Sequence, residues 1–294
     1  MISTKEMLWR GAALCAALAL TACTGLAQGG QAQPDQPKQQ PGQATEQKKP
    51  QDQSLQLEIP NAPTTPVVSV EEGAAFQAFQ QTAESEKKVQ AGETFLQKYP
   101  QSRYRRAVYS ELTIQYFMMG GQTGKLLDAG KNAIELNPSD VNALAIMGQT
   151  MARLWHPTNP AAAQELDTAE AYSKRAIEVL PTLVKPAELT EEAFHQTMKS
   201  LLSMAHSGLG LVDLQRKKYT EAVSELEESL KDVSPPDPVN YYLLGFADQQ
   251  IGNRDEAAAA YTKCGDIPWS LQERCKRLGA EAKKLGIPQP SAPK

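Results

Sequence analysis

The chain has 294 residues and a net charge of -4, with 30 Lys and Arg against 34 Asp and Glu. That balance excludes nucleic acid as the main partner, because phosphate binding needs a clustered basic surface. Hydrophobic residues make up 41% but aromatics only 6%, and much of the apolar content is Ala, so helices are expected rather than sheets.

At the N-terminus Lys5 and Arg10 precede an apolar run of ten residues, Gly11 to Leu20. A run of this length suits the hydrophobic region of an export signal and is short for a spanning helix. Leu20-Thr21-Ala22-Cys23 follows it. Run and tetrapeptide together resemble the bacterial lipoprotein signal. The resemblance implies that residues 1–22 are removed and that Cys23 is lipidated and becomes the new N-terminus. An ordinary cleaved signal and an uncleaved anchor are the alternatives. Thr24, where an Asp would favour inner-membrane retention in such lipoproteins, points to the periplasmic face of the outer membrane.

Residues 23–66 read as a tether. Between Gln28 and Pro66 there are 11 Gln and 7 Pro and no apolar period, so this stretch is expected to stay disordered. As a flexible coil it spans about 35 Å on average. Within it, Leu55-Gln56-Leu57-Glu58-Ile59 alternates like a strand able to join a partner's sheet edge.

Residues 67–106 are expected to form a degenerate helical pair ending in Phe95 to Ser102 (FLQKYPQS). From Ala107 to Leu271 small residues recur at intervals. Gly210 is followed by Ala222, Leu226 and Ser229, and Gly245 by Ala257, Tyr261 and Cys264, at the same offsets. Ile114 leads in the same way to Leu126, Ala133 and Pro138. Gly148 leads to Ala169, Ala176 and Pro181 with nine residues inserted. A small residue in one helix and an Ala in the next let two antiparallel helices cross closely, a Gly turn joins them, and Pro ends the pair.

These residues resemble the tetratricopeptide repeat (TPR), most closely over Val239 to Gly265, and also at Lys131 to Asp140. The resemblance implies an all-α fold, a TPR-type α-solenoid of antiparallel helix pairs. Two insertions depart from the pattern: one opens at Trp155-His156-Pro157 and runs through Asp167, and the other follows Pro181. After the second, Thr190 caps a long apolar helix that is predicted to reach about Gln215. The tyrosine usual near the end of the first helix is Phe117, Met151, Asp213 or Asp248 here. Residues 272–285 are predicted to be a capping helix, and residues 286–294 a disordered tail.

Of the four cysteines, Cys15 leaves with the signal and Cys23 is blocked if lipidated, which leaves Cys264 and Cys275. Lying on consecutive helices, in an oxidising compartment, these two are expected to form a disulfide, with two buried free thiols as the alternative. No phosphate loop, metalloprotease motif or nucleophile elbow is present, and His156, His195 and His206 have no nucleophile placed beside them by a motif. No catalytic residue, metal or cofactor is therefore assigned.

By the TPR resemblance, first-helix residues around the crossing point line a protein-binding groove. These are Asn142, Gln149 and Arg153 in one copy, Tyr242, Phe246 and Gln249 in the last, and the apolar Met204, Leu211 and Leu214 between them. The expected function is a membrane-tethered interaction scaffold of the bacterial cell envelope. Its partners would be envelope proteins or peptides, and its N-terminal lipid would hold it to the membrane. A carbohydrate- or small-ligand-binding surface lipoprotein is the alternative reading, and a hydrolase a more distant third.

Overall fold

The computed structural model describes residues 69–286. The export signal, Cys23, the tether with Leu55 to Ile59, and the tail beyond residue 286 lie outside the described residues. Within them the chain is all-α, built of eleven α-helices and one short 3-10 turn, Leu180–Thr182. The helices are α1 (Val70–Gln81), α2 (Ser85–Lys98), α3 (Arg105–Met119), α4 (Thr123–Leu136), α5 (Val141–Leu154) and α6 (Ala162–Val179). They continue with α7 (Glu191–Gln215), α8 (Tyr219–Leu230), α9 (Pro238–Ile251), α10 (Arg254–Asp266) and α11 (Gln272–Gly286).

Local chemistry sets the ends of these helices. Ser69, Asp140, Thr190 and Asp237 each accept a hydrogen bond from a backbone N–H in the first turn of α1, α5, α7 and α9. Glu71 and Glu72, and again Glu191 and Glu192, sit in first turns where the helix dipole favours negative charge. Gly120, Gly121 and Gly252 hold positive φ in the turns that close α3 and α9.

Consecutive helices pack in pairs, α1 with α2 through α9 with α10, and α11 covers α10. The pairs obey the small-residue rule read from the sequence, which makes this a TPR-type α-solenoid. Ala169, Ala222 and Ala257, the crossing residues of α6, α8 and α10, are fully buried. Opposite them there is no room for larger groups: a Cβ on Gly245 would stand 2.8 Å from the Tyr261 ring, and one on Gly210 would stand 2.7 Å from Leu226. The core runs through the stack as one large apolar cluster spanning α1 to α7, with smaller clusters linking α5, α6 and α7 and then α8, α9 and α10.

The insertion after Trp155 has two parts. Residues 155–161 form a loop, tied by the Trp155 indole N–H to the Ala162 carbonyl at 2.8 Å, and the remainder lengthens α6 to 18 residues. The first pair, degenerate in sequence, docks through aromatic contacts. Phe76 stacks on Tyr104 with ring centres 4.2 Å apart, and the Ser102 hydroxyl donates to Glu72. At the other end Cys264 and Cys275 are bonded, with Cα atoms 5.7 Å apart, and both side chains are buried between α10 and α11.

Candidate protein-binding face

The first helices of the third, fourth and fifth pairs, α5, α7 and α9, carry the residues assigned to the groove. On α5 these residues point into the protein. The Gln149 amide N–H donates to the Ser207 hydroxyl at 2.9 Å, which donates to the Asn240 carbonyl oxygen at 2.7 Å. All three side chains are buried, so this chain of hydrogen bonds crosses three first helices out of contact with water. Asn142 is buried as well, and Arg153 forms an ion pair with Asp237 at 2.8 Å with its side chain only 7% exposed. Gln149 and Arg153 are thus contacts between helices, Asn142 is buried, and none of the three lines an open groove.

The cause is how closely α5 and α7 approach. Gly148 and Gly208 face each other across Ser173, and a Cβ on Gly208 would stand 3.1 Å from the Gln149 backbone nitrogen. A side chain at either glycine would also overlap the Ser173 hydroxyl. Two backbones this near leave no channel between the first helices. On α7 itself Met204 and Leu211 are buried and Leu214 is partly buried against Leu226 and Leu244, so the apolar trio belongs to the core.

The residues on α9 lie differently. Phe246 is 38% exposed and meets Tyr219, at the start of α8, edge to face at 6.3 Å. Gln249 is exposed, and its carbonyl oxygen accepts from the Tyr261 hydroxyl at 3.2 Å, which leaves its amide N–H₂ for another acceptor. Tyr242, one turn before Phe246, is half-buried between Tyr261 and Trp269, with the Arg274 guanidinium 5.3 Å over its ring. Tyr242 thereby joins this face to the capping helix. Burial pushes the Tyr261 phenol up to about 12, so it remains a donor to Gln249 at neutral pH.

Reading the sequence passed over Tyr219, Trp269 and Arg274. The available signal was composition: with aromatics at only 6%, each aromatic outside the crossing pattern was a candidate surface group. The spacing rule looks only within a helix, whereas these side chains arrive from neighbouring helices.

Two carboxylates stand at equivalent places, Asp213 near the end of α7 and Asp248 near the end of α9, 35 residues apart. Burial raises the pKa of both. Asn253 donates to Asp248 at 3.3 Å, and the Lys218 ammonium opposes the shift at Asp213. The histidines pair locally: His206 with Glu225 at 2.7 Å, His195 with Glu191 at 3.8 Å, and His156 with Thr158 at 2.9 Å. Among the described residues no group of three or more His, Cys, Asp or Glu side chains is placed to hold a metal ion, and no helix is long and apolar enough to cross a membrane.

No protein-family model matches the chain, and no curated protein is similar to it. Among solved structures it is similar to a thermophilic TPR protein of Thermus thermophilus, at 17% identity and a TM-score of 0.45. That match covers 72% of this chain and 99% of the other.

Proposed function

We propose that this protein is a membrane-tethered scaffold of the bacterial cell envelope that binds other proteins through the exposed side of α9. The observation that carries the reading is Phe246, a large aromatic left 38% exposed in a chain poor in aromatics, beside the exposed Gln249. An aromatic anchor next to an adaptable amide is the usual make-up of a protein-binding hot spot. The apolar run Gly11 to Leu20 and the tetrapeptide ending in Cys23 support export and lipid attachment, and Thr24 supports the periplasmic face of the outer membrane. A lipid anchor would hold the binding face near membrane-bound partners and raise their effective concentration.

The test is co-purification from gently cross-linked envelopes, comparing the wild type with the Tyr242→Ala/Phe246→Ala/Gln249→Ala variant. Defined envelope proteins should be recovered with the wild type and lost with the variant. If the same set survives, α9 is not the binding face. Membrane attachment is read separately from Cys23→Ala, which should release the protein in a high-salt wash. Retention of that variant on the membrane would defeat the lipid anchor alone.

A further inference from the structure

The first helix pair carries a feature remote from α9 and outside the repeat pattern. Between α1 and α2 lies an open cleft of about 380 Å³. Its floor is apolar, made by Ala75, Ala78 and Phe79 of α1 with Ala91 and Phe95 of α2. The alanines make the room: at Ala75 and Ala78, one turn apart, and at Ala91 opposite, larger side chains would fill the gap between the helices. Tyr99 closes one end, and its hydroxyl is buried with no hydrogen-bond partner among the described residues.

Charge selects what fits there. The ionisable groups of the lining, apart from the Tyr99 phenol, are Lys87 and Lys98, and the lining contains no carboxylate. Lys87 reaches Glu84 at 2.7 Å, but both side chains are mostly exposed, a contact easily exchanged. The Lys98 ammonium stands over the Tyr99 ring, 5.2 Å from its centre. Both lysines belong to α2, so the apolar floor has its cations along one wall and matches an apolar stripe edged on one side by acids.

Helix geometry selects the form. A bare helix face can be covered by another helix, as α11 covers α10 with Gly279 against Ala258 and Thr262. At the opposite end of the stack the described lining of the α1–α2 groove comes wholly from those two helices and their C-terminal caps, Thr82 and Tyr99. We propose that this cleft is a second docking site, which takes an amphipathic helix of a partner protein whose apolar stripe is edged by carboxylates on the side that faces α2. The stripe seats anchors in the cleft at i, i+3, i+4 and i+7, and the carboxylates meet Lys87 and Lys98.

Two synthetic helical peptides test this against the full-length protein by fluorescence anisotropy. Both carry leucines at i, i+3, i+4 and i+7. One has Glu on the flanks and the other has Lys there. The Glu peptide should bind, and the Lys peptide should bind at least about tenfold more weakly. Ala78→Trp, which fills the cleft from an exposed position, should weaken the Glu peptide about tenfold or more. The doubly exposed Lys87→Glu/Lys98→Glu variant should do the same without touching the core. Tyr242→Ala/Phe246→Ala/Gln249→Ala should bind the Glu peptide like wild type, which separates this site from the α9 face. No binding of the Glu peptide, equal binding of both peptides, or unchanged binding to the Lys87→Glu/Lys98→Glu variant would overturn the proposal.

Discussion

Lys217 holds φ of 60° just after α7, where the next pair places Gly252 at φ of 86°. Both turns close with the same bond, from Lys218 N–H to the Asp213 carbonyl and from Asn253 N–H to the Asp248 carbonyl, each 2.9 Å. The left-handed conformation suits Gly and strains a side chain with a Cβ. Lys217→Gly should therefore stabilise the protein by about 1 kcal/mol, read as a higher urea midpoint with an unchanged slope. Asp248 is a second case in which one residue works against the fold. Burial raises its pKa above 3.8, so its folded form holds a proton more readily than its unfolded form. Its contribution is fully present at pH values below 3.8 and is lost as the pH rises through the raised folded value. Asp248→Asn keeps an acceptor and removes the charge. The variant should exceed wild type in stability at pH 7, and the difference should shrink as the pH is lowered toward 3.8. Denaturant titrations at a series of pH values check both the sign and the window.

At the scale of elements the sequence was highly legible where local chemistry decides. Thr190 caps α7, and the apolar pattern ends it at Gln215, because capping and periodicity act within a few residues. The insertion after Trp155 was legible in its total length but not in its division, since helix propensity in an Ala- and Glu-rich stretch let α6 begin early, at Ala162. The last element is held by a covalent bond as well as by packing. Cys264 and Cys275 close a loop with a sequence separation of 11 residues. Replacing both with Ser should cost roughly 2–3 kcal/mol in the loop-entropy description, with any packing loss added. Hydrogen exchange should then quicken first in α11, ahead of α9 and α10. Uniform quickening across the three helices would show that the cap is held mainly by its apolar face.

At the scale of the whole molecule the repeat period made the stack legible, and it placed the crossing alanines correctly. What it did not show is how far each pair slides against the next. That offset depends on Gly208, whose partner Gly148 lies 60 residues away in sequence, and no period links the two. Asn142, Gln149 and Arg153 therefore looked like a groove although they are internal, whereas Phe246 and Gln249, beyond the closest approach, remain open to solvent. The cleft at α1 and α2 is not legible in the sequence because its pair lacks the repeat signature. Gln149→Ala should thus act on stability, by about 1 kcal/mol for the buried hydrogen bond that Ser207 no longer accepts, and leave partner recovery unchanged once the folded fraction is matched.

The ion pair between Arg153 and Asp237 has a further consequence. It joins the third pair directly to the fifth, past the α7–α8 pair between them. In an ordinary repeat array each unit touches only its neighbours, and under load such arrays come apart one unit at a time. Here the bond bridges a unit, and the chain of Gln149, Ser207 and Asn240 runs alongside it. The middle of the molecule is thus wired in parallel rather than in series. A pulling force along the stack should therefore meet, in its middle, a segment that gives way as a whole.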